Sequence, residues 1–169
     1  LEINGKSADL SRSAWSGVHT RDFTDVDVEA LAAALDTRLG GSSTRSDLPA
    51  GRYEKILPPT AVADLMIQAY WSAGARDAHD GQSVYSRQGG GTRIGELIAR
   101  PEVTLFSDPA HPGLECAPHT IVESSGDDAS VFDNGLSLAR TDWIHNGTLA
   151  ALRQSRETAA LTGQPVTPA

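Results

Sequence analysis

The segment "PPTAVADLMIQAYWSAG" (residues 58–74) imposes the strongest demand on any fold this chain adopts. Pro58 and Pro59 fix the entry, Thr60 can cap a helix running from about Ala61 to Ala73, and Gly74 ends it. Val62, Leu65, Met66, Ile67, Ala69, Tyr70 and Trp71 cover nearly its whole circumference. A helix apolar on all sides has no face to give to water, so the pattern predicts a buried helix over 60–74. The rest of the chain has to supply its surroundings.

Upstream, "SAWSGVHTRDF" (Ser13–Phe23) reads as a strand with Trp15, Val18 and Phe23 spaced among polar residues. "TDVDVEALAAALDTRLGG" reads as a helix that Thr24 or Asp25 can cap and Gly40 can stop. Val28, Leu31, Ala32, Leu35 and Leu39 form its packing face. "SSTRSDLPAG" is a polar linker, and "RYEKILP" (Arg52–Pro58) reads as a short strand.

From Gln82 onward the period changes. Short extended runs ("SVYS", "ELIA", "VTLFSD", "HTIVES", "SVF", "LSLARTDWI", "TLAAL") alternate with turn residues. Asn134-Gly135 and Asn146-Gly147 are hairpin signals, because type I′ turns need positive φ at both central residues. A meander of about five to seven strands follows from that spacing. A last helix near Ser155–Leu161 takes Ser155 as its cap and Gly163 as its stop. The fold class expected is α+β: an N-terminal strand-helix segment, the buried helix, a mostly antiparallel β-meander and a short C-terminal helix.

Composition narrows the function classes. The 169 residues are 39% hydrophobic and 21% charged, which suits a folded chain. A net charge of -8, without a local Lys/Arg cluster, repels a phosphate backbone, so nucleic acid is not expected as a direct partner. A single cysteine, Cys116, allows no internal disulfide and fits a reducing cytoplasm. No apolar run approaches the roughly 18 residues needed to span a bilayer, so no membrane association is expected. The chain opens on Leu1 and its only methionine is Met66, which predicts a piece of a longer polypeptide.

Four stretches carry residues with chemical potential. In "RDAHDG", Asp77 or Asp80 could orient His79 as a base, or all three could ligate a metal, although Asp and Gly also favour a polar turn leaving a helix. His111, Cys116 and His119 in "HPGLECAPH" are zinc-type ligands without a fourth member or paired spacing, which favours an ordinary loop. "QGGGTRIGE" lacks the Gly-Lys-Ser/Thr ending of a phosphate loop and reads as a connection between strands. Asp133 in "VFDNG" could act as an acid or base, yet Asp before Asn-Gly is also good turn chemistry.

Taken in order, "LPAGRYEKILPPTAVADLM", "GQSVYSRQGGGTRIGELIA", "VFDNGLSLARTDWIHNGTLAAL" and "SRETAALTGQPVTP" resemble the TldD/PmbA family over about Leu48–Pro168. That family comprises bacterial and archaeal proteins known as modulators of DNA gyrase and as zinc-dependent peptidases. The resemblance implies that residues 1–57 end a middle domain and 58–169 begin the C-terminal domain. TldD-type members carry His-Glu-x-x-x-His on the helix before the "SVY"-like strand. Alignment on Ser83 places that motif on "MIQAYW", so Met66 and Trp71 stand at the histidine positions and Ile67 at the glutamate position. A thioether, an alkyl chain and an indole cannot replace two imidazoles and a carboxylate around zinc.

Loss of those ligands resembles the PmbA type, also called TldE. The resemblance then implies the non-metal subunit of a cytoplasmic peptidase complex that acts on short or unfolded peptides. Zinc is expected only in a TldD-type partner, and the partners implied are that subunit and a peptide. Tyr70 and Trp71 are candidate peptide contacts; His79, Asp77 and Asp133 are the candidate acid-base groups. Two other readings stay open: a stand-alone hydrolase using those Asp and His groups, and a non-enzymatic peptide-binding module.

Overall fold

The computed structural model describes residues 1–43, 46–126 and 129–168, and the chain divides into two compact units, Leu1–Glu54 and Lys55–Ala169.

In the first unit, β1 (Glu2–Lys6) and β2 (Ser13–Gly17) form a two-stranded antiparallel sheet with Asn4 opposite Trp15. The helix α1 (Val28–Gly41) lies on this sheet. A Cβ on Gly5 would sit 2.9 Å from Leu35 Cδ2 and 3.0 Å from Leu39 Cδ1, so the missing side chain admits the leucine face of the helix. The cap is Asp27, whose carboxylate accepts from Ala30 N at 2.9 Å, two to three residues beyond the expected Asp25 or Thr24 cap. The helix also runs through Gly40 to Gly41. Arg12 Nη1 donates to the Leu39 carbonyl at 3.0 Å, placing a cation against the negative end of the helix.

Other local expectations for this region change. The strand over Ser13–Phe23 stops at Gly17, and Phe23 takes a positive φ of 63°. Its partner β1 is polar and short and carries no strong strand signal. Arg52–Pro58 pairs with no strand among the described residues, and Ile56 is fully exposed. Thr44 and Arg45 of the expected linker lie outside the described residues.

The second unit begins with α2 (Pro59–Trp71). Pro58 precedes its first turn, and no side chain caps it, so Thr60 lies inside the helix. Gly74 leads directly into a five-residue helix α3 (Ala75–His79), where the sequence predicts a turn. A three-stranded antiparallel sheet follows, in the order β3 (Leu105–Ser107), β4 (Thr141–His145), β5 (Thr148–Leu149). The α+β class holds. Most of the remaining extended runs make isolated bridges, such as Leu97 with Thr148 and His119 with Ser137, instead of full strands. "SVF" becomes part of a 3-10 turn at Val131–Asp133.

Turn chemistry explains the best-predicted parts. Asn146 (φ 47°) and Gly147 (φ 78°) form the β4–β5 hairpin that Asn-Gly signals. Asn134 differs: with φ -53° and ψ 134° before Gly135 at φ 82°, it makes a type II turn. Its side-chain amide also grips Val122, accepting from the backbone N at 2.5 Å and donating to the carbonyl at 3.0 Å. Helix α4 (Arg156–Thr162) starts at Ser155, whose hydroxyl accepts from Thr158 N, and ends at Gly163 with φ 70°.

Two apolar clusters hold this unit. One contains Ala73, Ala75, Ala78, Tyr85, Leu149 and Leu152; the other contains Leu105, Trp143 and Ile144, and Ile98 packs against both. Helix α2 reaches the second cluster through Ala69 and Tyr70 alone. The structure therefore corrects the expected burial of the helix over 60–74. No residue of α2 is buried, and Leu65, Met66, Ile67 and Trp71 are 59%, 43%, 45% and 63% exposed. A 13-residue helix shows about three and a half turns of surface. The three-stranded sheet covers one edge of that surface. Only beyond the helix, at Ala73, does the segment enter the core.

Candidate functional site

Helix α2 and strand β3 border the main apolar concavity of the second unit. One lobe, about 230 Å³, is lined by Met66, Ile67, Tyr70, Leu105, Phe106 and Trp143. A second lobe, about 510 Å³, shares Met66, Tyr70, Phe106 and Ser107 and extends to Asp108, His111 and Cys116. The helical period places Met66, Ile67 and Tyr70 toward the same side. β3 supplies the other wall through Leu105, Phe106 and Ser107.

This wall is held firmly. Tyr70 and Trp143 meet edge to face, with ring centroids 5.3 Å apart at 73°. The Trp143 indole N–H donates to Ser107 Oγ at 3.1 Å, which fixes the ring beneath β3. Phe106 carries the Arg140 guanidinium 3.7 Å from its centroid, while the His111 ring lies 6.1 Å away, tilted by 33°. Arg140 in turn donates to Asp142 Oδ1 at 3.2 Å. Burial raises the Tyr70 phenol above its ordinary value, with the nearby Arg153 charge acting the other way.

β3 lies at one edge of its sheet, with a register shift between Leu105 and Phe106. An edge strand presents backbone N–H and C=O groups on its outer side, the geometry that accepts an added extended segment. An apolar volume beside such an edge suits apolar side chains on a bound peptide.

The sequence-marked residues are distributed among three places. Met66, Ile67, Tyr70, His111 and Cys116 border the groove; Trp71 projects from the same helix, largely exposed. His119 bridges to Ser137 instead of joining His111 and Cys116. His79 and Asp80 line a separate open depression of about 650 Å³ with Gly89 and Gly90. Asp80 is 3.9 Å from Arg76, and Asp77 stands exposed on α3. Gly89, Gly90 and Gly91 all have positive φ and close the loop between the bridged Ser86 and Thr92. Asp133 is 5% exposed and accepts from Arg156 N at 3.1 Å, so it anchors the start of α4.

The side chains at the α2 motif positions do not fit a zinc ion. Met66 and Trp71 offer no imidazole, Ile67 offers no carboxylate, and the groove places apolar groups around Met66 and Ile67. Among the described residues, no three His, Cys, Asp or Glu side chains converge to hold a metal. Phe106, Trp143 and Arg140 escaped the sequence reading as site residues. They come from runs read only as strands, and their meeting with α2 spans more than thirty positions of chain.

A family model described as the PmbA/TldA metallopeptidase C-terminal domain matches residues 50–168. A crystal structure of a candidate modulator of a DNA gyrase from Thermotoga maritima superposes with a TM-score of 0.72 at 21% identity, covering 92% of this chain and 33% of that one. A candidate modulator of DNA gyrase from Bacteroides thetaiotaomicron gives 0.67 at 15% identity, covering 99% and 35%. At those identities the likeness establishes the fold, and this chain spans about a third of either structure. Comparison with curated protein sequences finds no match. Among the described residues no helix is long and apolar enough to cross a membrane. With the family model matched over most of its length, the chain belongs to the TldD/PmbA family.

Proposed function

We propose that this chain is part of a PmbA/TldE-like subunit, the non-metal member of a cytoplasmic peptidase complex whose zinc resides in a TldD-type partner. The observation that carries the reading is the side-chain set Met66, Ile67 and Trp71 on α2, at the positions where a TldD-type helix presents His, Glu and His. Family membership supports the peptidase context, and the α2–β3 groove supports a part in holding the peptide.

In this reading the groove is one wall of the peptide chamber. β3 offers backbone hydrogen bonds to an extended chain, while Met66, Tyr70 and Phe106 take its apolar side chains. The chain positions substrate, and the partner supplies the water-activating metal. Hydrolysis of a short unfolded peptide, measured for the full-length protein alone and with a TldD-type subunit, tests this assignment. Turnover is expected only with the partner. Turnover without it that is abolished by His79→Ala would instead support a self-contained hydrolase.

A further inference from the structure

Each lobe of the α2–β3 groove exceeds the ~150 Å³ that holds a benzene ring in an apolar protein cavity. What fills such a space depends on the chemistry of its walls. Aliphatic walls take any apolar side chain in proportion to the area buried, whereas sulfur atoms and π faces also distinguish an aromatic ring from an alkyl group of the same size.

Met66, Tyr70 and Phe106 line both lobes, and Asp108, His111 and Cys116 extend the larger one. Leucine side chains complete the lining and add area without that preference. Asp108 carries the only carboxylate among the described residues lining the two lobes, and no Lys or Arg lines either. The one cation stacked on this wall is already balanced: Arg140 lies 3.7 Å from the Phe106 centroid and donates to Asp142 Oδ1 at 3.2 Å. The groove therefore presents π faces, two sulfur atoms and a carboxylate, all of them electron-rich. Their charge complement in an uncharged side chain is the positive edge of an aromatic ring, which an alkyl side chain lacks. Tyr70 already makes such a contact with Trp143, edge to face at 5.3 Å.

We propose that the groove selects an aromatic side chain of the bound peptide, with Met66 and Phe106 setting the preference. This selectivity rests on the peptide-holding role of the groove and goes beyond it by naming the residue class held.

Calorimetric titration of the full-length protein with acetyl-Ala-Ala-X-Ala-Ala-amide tests it, where X is phenylalanine, cyclohexylalanine or leucine. Cyclohexylalanine has nearly the outline of phenylalanine and is the more apolar of the two, so burial alone would favour it. The phenylalanine peptide is expected to bind about tenfold tighter, the scale of one ring–ring and one sulfur–ring contact together. Met66→Leu and Phe106→Leu keep the wall apolar, and each should remove most of that ratio. Mere loosening of the groove would instead weaken both peptides alike. Equal or tighter binding of the cyclohexylalanine peptide, no binding of any of the three, or an unchanged ratio in either variant would overturn the proposal. Hydrolysis with a TldD-type partner separates this claim from the subunit role. Turnover of all three peptides with equal kcat/KM would contradict the aromatic preference and leave that role intact. Selective binding without turnover in the complex would support the preference and contradict the role.

Discussion

Tyr70 stands edge-on to Trp143 at 5.3 Å, and this contact attaches an otherwise exposed helix to the three-stranded sheet. Trp143 is 2% exposed, so Trp143→Ala is expected to destabilise the second unit by about 3–5 kcal/mol. Trp143→Phe keeps an aromatic ring but loses the bond to Ser107 Oγ and part of the buried volume, and should cost more than about 1 kcal/mol but less than Trp143→Ala. Urea unfolding followed by far-UV circular dichroism measures both.

Gly147 has no room for a side chain. Its φ is 78°, and an added Cβ would sit 2.5 Å from the Ala99 carbonyl oxygen and 2.7 Å from that of Arg100. Gly147→Ala should therefore destabilise by more than about 1 kcal/mol, through both backbone strain and collision. Gly135→Ala has a similar φ of 82° but open space, so it should cost less. Paired thermal melts compare the two.

Ser155 caps α4 by accepting from Thr158 N at 3.1 Å. Removing this cap with Ser155→Ala should cost about 1 kcal/mol. Ser155→Asp, which keeps the cap, should recover most of the loss in the same denaturation assay.

These elements also show what the sequence made legible. Ser155, Gly163 and Asn146-Gly147 act through their own few residues, so local chemistry located α4 and the β4–β5 hairpin. The extent of the sheet was less legible. Runs such as "ELIA" and "HTIVES" have strand composition, but pairing depends on partners distant in the chain, and most form single bridges. The α2 pattern correctly marked an apolar helix, while its exposure depends on how much surrounding surface is present. Met66, Ile67 and Trp71 were readable by alignment within one motif; the Phe106–Arg140 stack opposite them was not, because it forms only after β3 and β4 pair.

Two titrations follow from the electrostatics. Hydrogen bonds from Arg93 Nε and Arg87 Nε hold the Glu96 carboxyl below its ordinary value of 4.5. The stabilisation it gives is present above its unfolded value and is lost as pH falls through the lower folded one. Tyr70 and Tyr85 behave oppositely: burial raises both phenols above 10.0, so their contribution is complete below that value and is lost as pH rises through the folded one. Carboxyl NMR for Glu96 and tyrosinate absorbance for the phenols should show midpoints displaced in those directions. Glu96→Gln should remove the acid-side component.

The metal content of the purified full-length protein, alone and with a TldD-type partner, tests the central claim most directly. Exposure to zinc followed by exhaustive dialysis should leave the isolated protein with far less than one zinc per chain, while the complex retains zinc and hydrolyses peptide. A stoichiometric, tightly held zinc in the isolated protein would contradict the account.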